Sequence, residues 1–526
     1  MIDIEIPLKR ERRGHYRLFE IAPFALSIST LALLFVLSIW NVTVAAFCIL
    51  LYIFIYLTRA LAVAIRSLHG FHVMRINQRL NWLHLVSELE QGTIEAGGHR
   101  PSWHTYQVAA HGGDKLRLKP SELLHAIIIA TYNESREVLE PTIRSVLASD
   151  YPMKQVLFIL AYEERGGAQV EQQAHELIKE YGGQFYAAMA IKHPKDIPNE
   201  VIGKGGNITY AGRELQKWLE SRQIDPLRVI VTTLDSDNHP DKEYLPCLSY
   251  AYAICPDPIR AAFQPVSMYT NNIWDAPAPM RVLATGNSIF NIVLSMRPHA
   301  MRNFSSHAQG MASLVETDFW SVRTIVEDGH QFWRSYFRFD GDYVVYPLHV
   351  PIYQDAVLTG SYKRTLKAQF VQLRRWTYGA SDIAYVVDKG FFKNNKVPRR
   401  DLVSKTLRLT EGHVTWAVGP ILSLIGGFIP GFFHSRSFAA NELPLIVSHI
   451  QTFALIGSLS TIYLSLKTLP PKPERYKHHR TLFMITQWVY LPVTTIVYNS
   501  FAAFYSQARL AFGRYMDRFD VTEKSV

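Results

Sequence analysis

The sequence predicts an α/β unit built on an open parallel sheet, set between two groups of apolar helices long enough to cross a membrane. Three observations carry this. Charge-free apolar runs stand at both ends of the chain, the middle alternates strand-like and helix-like segments, and polar residues gather directly after the strand-like ones. At 526 residues the chain is long enough for two or three domains. A mean hydropathy of zero hides the division between its apolar ends and a soluble middle from about Leu80 to Thr410.

The first apolar runs are Ile21–Trp40 and Val42–Leu57, each near the ~20 residues that cross the hydrocarbon layer. Trp40-Asn41 suits a turn at the far interface, and Arg59 marks the return. A cleaved signal peptide is the competing reading of the first run, but no small-residue cleavage site follows it. After the middle come Val414–Phe433, Leu443–Leu466 and Leu482–Phe504. The loop 467–480 is rich in Lys and Arg, while His434–Asn441 carries one Arg, so the former is expected inside and the latter outside. This places the middle unit in the cytoplasm. The last run contains Pro492 and reads either as one span or as a span with a returning interfacial piece. The expected divisions are a basic terminus 1–20, two spans within 21–66, a catalytic unit 67–360, interfacial amphipathic helices 361–412, a membrane region 413–510 and a tail 511–526.

The net charge of +10 raises the question of nucleic acid. The basic residues flank apolar runs, as with Lys9, Arg10, Arg12 and Arg13 before the first, so anionic headgroups are the expected partner and nucleic acid is not. Three cysteines, Cys48, Cys247 and Cys255, make neither a disulfide framework nor a zinc pattern.

Within the middle, Leu123–Ala130 and Val156–Ala161 are continuous apolar runs typical of strands buried on both faces. Phe185–Ile191 and Arg228–Thr233 continue the series, with helices expected over 137–147, 169–181 and 205–221. Ligands of such sheets bind at the carboxyl ends of the strands. Those ends carry Thr131 to Glu134, Glu163-Glu164 and Asp235-Ser236-Asp237. Two carboxylates two residues apart at a strand end suit one hard cation whose shell is completed by diphosphate and water, although a solvated turn has the same composition.

Lys204-Gly205-Gly206-Asn207 opens a helix, so its backbone N–H groups and ammonium can face phosphate, without the closing GK[ST] of a P-loop. Glu327-Asp328 offers a general base, with His330, Trp333 and Arg334 as either cleft or packing groups. In Gln372-Leu373-Arg374-Arg375-Trp376 the amide, one cation and the indole fall at i, i+3 and i+4 on one helix side. Leu366, Phe370, Leu373, Trp376, Ala380, Ile383 and Val387 form an apolar stripe that also suits a helix lying on the membrane. Lys389, Lys393, Lys396, Arg399, Arg400 and Lys405 are expected on the headgroups.

In this order the ATYNE strand end, KGGN loop, DSD, VED and QLRRW resemble the membrane-bound family 2 glycosyltransferases, the group of cellulose, chitin and hyaluronan synthases. The resemblance spans Leu123 to Trp376 and the flanking runs. It implies an A-type, Rossmann-like glycosyltransferase fold and inverting transfer from a nucleotide-diphosphate sugar, a UDP-sugar, to a growing polysaccharide. Transfer of one sugar to a lipid is the alternative. It further implies Asp235 and Asp237 on Mg²⁺ or Mn²⁺, with Asp237 the direct ligand, and Asp328 as base beside Glu327. Thr131, Glu134, Glu163, Lys204, Asn207 and Asp235 would hold the donor, with Gln372, Arg375 and Trp376 closing over diphosphate and acceptor. The setting implied is a multi-pass protein of a bacterial or archaeal plasma membrane. Tyr162-Glu163-Glu164 stands where the family has paired aspartates, the acceptor motif survives only loosely as Ser306 to Gly310, and no cyclic-dinucleotide module is expected. A transporter with a cytosolic domain is the non-enzymatic alternative, and His449 is the main ionisable group it would have within the spans.

Overall fold

The computed structural model describes residues 3–95, 100–477 and 479–518, so the end of the expected tail lies outside the described residues. Helices α1 (His15–Trp40) and α2 (Val42–Asn77) form the first hairpin. Asn41 makes the turn and caps α2, its side-chain oxygen accepting the N–H groups of Thr43 and Val44 at 3.0 and 3.2 Å. At 1.5 Å per residue α2 is about 54 Å long, well beyond the ~30 Å hydrocarbon layer, so its second half is more than one crossing needs. There Gly70 packs so closely that a Cβ would lie 2.8 Å from Ile292 and 2.9 Å from Met296.

The soluble unit begins as the sequence predicts. β1 (Leu124–Thr131), α3 (Arg136–Leu147), β2 (Val156–Glu163), α4 (Gly167–Tyr181), β3 (Ala187–His193), α5 (Lys204–Ser221) and β4 (Val229–Asp235) follow one another. The four strands pair in parallel in the order β3-β2-β1-β4. The continuous apolar runs have the expected cause: Ile127, Ile129, Phe158 and Leu160 enter one core with Leu139, Ile143 and Leu177. Ala126, Ile128, Leu157 and Ile159 enter a second with Ile208, Ala211 and Leu215 of α5.

The other half of the sheet departs from the wholly parallel expectation. β5 (His239–Pro240), β6 (Ala261–Tyr269), β7 (Ala308–Gly310) and β8 (Val344–Gln354) extend it to eight strands in the order β3-β2-β1-β4-β7-β6-β8-β5. β7 runs antiparallel to both neighbours. Its direction follows from the loop before it, because Ser305 is bonded to Asp235 at the carboxyl end of β4 and the chain must run back down beside that strand.

After β6 come α6 (Ala278–Ser295) and, beyond β7, α7 (Glu327–Arg338). α8 (Tyr362–Thr377) carries QLRRW, followed by α9 (Asp382–Val387), α10 (Arg399–Ile425), α11 (Phe438–Lys467) and a kinked helix α12 (Arg480–Ala511). Among the described residues five helices are long and apolar enough to cross a membrane, those starting at His15, Val42, Arg399, Phe438 and Arg480. His449 is exposed on the flank of α11.

Region 361–412 differs from the interfacial reading. The stripe bends at Tyr378–Ser381, a 3₁₀ turn, and α9 is buried on every side. Leu366, Phe370 and Trp376 pack toward Tyr498 and Ala502 of α12, which covers the face expected to meet lipid. Lys389 is buried, its ammonium donating to the Asp3 carbonyl at 2.5 Å, so it is not on the headgroups.

Both ends of α12 dock on the soluble unit's side. Arg480 donates to the Trp274 carbonyl at 2.7 Å and Gln487 accepts from Arg281 at 2.5 Å. At the other end Arg17 donates to the carbonyls of Leu510 and Ala511, both at 2.6 Å, and Met516 packs with Tyr378.

The N-terminal segment packs in part on the protein, while its basic residues Arg10 and Arg13 stay exposed. Ile4 and Ile6 are buried, Tyr385 donates to the Ile4 carbonyl at 2.7 Å, and Arg323 to that of Ile6 at 2.8 Å. Glu5 accepts from Ser321 at 2.5 Å, Lys9 pairs with Asp517, and Arg12 with Glu20 at 3.3 Å. The strap thus holds α9 and the segment leading into α7.

Candidate functional site

Sheet register builds the site. Thr131 stands opposite Tyr162, and Ala130 opposite Asp235, so three strand ends meet along one edge. α5 starts beneath that edge, and Lys204, its first residue, reaches Asp235 Oδ1 at 2.8 Å and Asp328 Oδ2 at 3.1 Å. One ammonium therefore joins the strand-end carboxylate to the carboxylate of the first turn of α7. Burial works against its charge, but Asp235, Asp328 and Glu327 outweigh burial and raise its pKa above the ordinary lysine value.

The neighbouring carboxyls differ in setting. Asp328 keeps part of its surface open, whereas Glu327 is buried against Gly205, where a Cβ would lie 3.2 Å from its own. Burial, with the Asp328 charge adding to it and Lys204 opposing, pushes the Glu327 carboxyl up to about 7. Glu327 Oε2 has no hydrogen-bond partner among the described residues.

His307, in the loosely read acceptor motif, packs 3.7 Å from Asp328 Oδ1. Its Nδ1 donates to the Phe304 carbonyl at 2.8 Å and its Nε2 accepts from Trp320 at 3.2 Å. That pattern requires the neutral ring, and burial lowers its pKa accordingly.

Asp235 Oδ2 accepts from Ser305 at 2.7 Å, and Asp237 Oδ2 from the Asp355 N–H at 3.3 Å. Asp235 and Asp237 both raise the pKa of the buried Tyr269 hydroxyl after burial itself, and Arg375 opposes them. The Tyr269 ring lies 6.0 Å from that of Trp376. Tyr269 thus links the DSD and QLRRW segments. α8 is fixed by Thr377, which meets Ser506 at 3.0 Å, and by buried Leu373, leaving Gln372, Arg375 and Trp376 part-exposed. Gln372 accepts from Gln369 at 3.0 Å.

Two carboxylates at a strand end offer hard oxygen donors suited to a cation such as Mg²⁺ or Mn²⁺. Asp235 and Asp237 would hold it. Elsewhere His84, Glu88 and Glu95 also converge, but Arg100 already neutralises Glu88 at 2.5 Å.

Several expected donor residues sit differently. Glu134 folds back on its own loop, accepting from Thr131 Oγ1 and the Tyr132 N–H at 2.8 Å each. Asn207 is buried and donates to the carbonyls of Ala161 at 3.0 Å and Thr131 at 3.4 Å, tying two strand ends together. Glu163 is buried, bonded to His193 at 3.0 Å and to Arg165 at 2.9 Å. His330, Trp333 and Arg334 are buried packing groups, with His330 on Asp382 at 2.7 Å and Arg334 on the Thr317 carbonyl at 2.9 Å.

His193 was not singled out from the sequence. It lies between Glu163 and Glu200, 3.0 Å from each. Burial alone would lower its pKa, but the two glutamates raise it to about 9. A histidine unfolds with a pKa near 6.5. The folded state therefore gains from this group fully below about 6.5, and the gain is lost as pH rises through about 9. Thermal unfolding should drop by several degrees between pH 7 and pH 10, and Glu200→Gln should flatten that slope. An unchanged slope in the variant would remove His193 as its cause.

No protein-family model matches the chain, and no curated protein does. Among solved structures, the mannosyltransferase PcManGT from Pyrobaculum calidifontis, in complex with GDP-Man and Mn²⁺, aligns at 13% identity. The alignment covers 83% of this chain and 98% of that one, with a TM-score of 0.38. S. aureus TarS 1–349 with UDP-GlcNAc aligns at 12% identity over 75% of this chain and 93% of that one, TM-score 0.37. GalNAc-T7 with UDP, GalNAc and Mn²⁺ aligns at 10% identity over 56% and 58%, TM-score 0.31. Likeness this slight leaves the function to be read from the chain's own side chains.

Proposed function

We propose that the chain is an inverting glycosyltransferase of the A-type arrangement, moving a sugar from a nucleotide-diphosphate sugar, a UDP-sugar, at the cytoplasmic face of a membrane. One observation carries the reading. Lys204 stands within 3.1 Å of both Asp235 and Asp328, so one ammonium brings together the carboxylates we assign to donor and acceptor, 93 residues apart in the chain.

Asp235 and Asp237 would carry the divalent ion, which supplies positive charge to the diphosphate as it leaves. Arg375 adds a second cation on that side, and Trp376 a flat apolar wall for the sugar. Asp328 Oδ takes the proton of the acceptor hydroxyl as that oxygen attacks the anomeric carbon. The carbon–diphosphate bond breaks with its electron pair leaving on the diphosphate, and a single displacement inverts the centre. His307, neutral and with both nitrogens engaged, positions the Asp328 side of the cleft without competing for the proton.

The acceptor we propose is a growing polysaccharide, a reading supported by QLRRW meeting the DSD segment through Tyr269 in a chain with five candidate spans among the described residues. The docking of α12 supports four crossings and both described ends of the chain in the cytoplasm. Purified protein screened against UDP- and GDP-sugars should release nucleoside diphosphate with one of them and make chains of several sugars. Inertness toward every donor would defeat the enzyme reading, and products of one added sugar would defeat the polymer. A lipid acceptor is the second reading, favoured by the arginine cluster described next.

A further inference from the structure

Three elements bring arginines together where the spans meet the cytoplasmic surface. Arg59 of α2 pairs with Glu411 of α10 at 2.6 Å, tying these two helices at the level where the apolar part of α2 ends. Arg408, nearly one turn before Glu411, donates to the His299 carbonyl at 3.2 Å, tying α10 to the segment after α6. The close contact of Gly70 with Met296 sets Arg66, one turn before Gly70, beside Arg297, which follows Met296.

Arg59, Arg66, Arg297 and Arg408 thus converge, and Glu411 is the carboxylate bonded among them. Arg59, Arg66 and Arg408 are exposed, and Arg297 is part-buried. Arg297 Nε is buried and has no hydrogen-bond partner among the described residues. Burial, and after it the charges of Arg66, Arg408 and Arg59, all cations, lower the Arg297 pKa.

The cluster sets four cations against the one carboxylate Glu411, an excess of positive charge that a further anion would relieve. From it the chain leads straight to the site. Arg302 follows, its guanidinium 5.7 Å from the Trp333 ring, and Ser305, the residue bonded to Asp235, is eight residues after Arg297, at most about 28 Å along the chain.

We infer that the Arg59–Arg66–Arg297–Arg408 cluster binds the phosphate group of a lipid whose chain lies between α2 and α10. The inference deepens the second reading above, since it places the headgroup of an acceptor lipid on the segment that leads on to Ser305 and Asp235. Guanidinium forks suit phosphate oxygens in pairs, and the level of Arg59 is that of the headgroups.

The test uses the full chain in phosphatidylcholine nanodiscs and reads binding without turnover, so its failure leaves sugar transfer standing. Decyl phosphate should bind saturably while decanol does not, and the double variant R66Q/R297Q should weaken binding at least tenfold. If that variant does not fold, R66K/R297K keeps the charge, loses the paired fork and should bind severalfold more weakly. Discs containing phosphatidylglycerol separate the sources. Loss of decyl phosphate binding there assigns the site to bulk anionic headgroups, and retention assigns it to a phosphate monoester such as an acceptor lipid. Decanol matching decyl phosphate, or both double variants binding as the native chain does, overturns the inference.

Discussion

Asp328→Asn should reduce turnover about a thousandfold while nucleotide-sugar affinity stays within a few-fold, because a positioned base contributes roughly 10²–10⁴ to rate. The substitution keeps the shape of the side chain next to Lys204 and removes the lone pair that takes the proton. Glu327→Gln is the internal contrast. The native Glu327 carboxyl is already pushed up to about 7 by burial and by the Asp328 charge, so near neutral pH much of it is protonated, as the amide mimics. Its turnover should stay within tenfold of native and lose any pH dependence that Glu327 imposes between pH 6 and 8. Stopped donor hydrolysis and single-turnover transfer measure both variants. Should Glu327→Gln be the inert one and Asp328→Asn the active one, the base assignment moves to Glu327.

The second large effect concerns the cation. Chelation should abolish transfer, and Mg²⁺ or Mn²⁺ should restore it, because Asp235 and Asp237 offer only hard oxygen donors. Asp237→Ala should not be rescued by either ion. Direct Mn²⁺ binding, followed by its paramagnetic signal with nucleoside diphosphate present, should disappear in the same variant. Turnover persisting in chelator, or Asp237→Ala binding Mn²⁺ as the native chain does, contradicts the role given to these carboxylates.

How far the sequence reached has physical reasons that differ along the chain. β1, β2 and β4 lie inside the sheet with helices on both faces, so their sequences are continuous apolar runs with few rivals. β6 is as buried, yet Gln264, Pro265 and Ser267 interrupt its pattern. Gln264 is accounted for by bonds to Ser305 and Phe304, and Pro265 by the register shift beside it. A three-residue strand such as β7 has no periodicity to read.

The same contrast holds in the site. Asp235 and Lys204 were visible because a strand end and a helix start are local signals. Ser305 and His193 act through partners 70 and 30 residues away, and no local pattern announces that. Tyr269 ends β6 and was hidden with that strand. Glu163 was read from its position alone, and only the fold reveals that His193 and Arg165 meet it first.

The strap at residues 3–8 has a consequence for the order of events during synthesis. Ile4 leaves the ribosome 381 positions before Tyr385, whose hydroxyl grips its carbonyl. Until α7 and α9 exist, the strap has nothing to seat against, so it must wait, exposed, while two hairpin helices insert and the sheet forms. Its docking is then a closing step that ties the strap to the helix bearing Asp328, through Glu5 and Arg334 at 3.5 Å. An extended loop closure of that length is slow to find but loses little more than a shorter one would, since its entropic cost grows only with the logarithm of the separation. A nascent chain stalled before Tyr385 should therefore leave the strap open to protease, and one released after it should not.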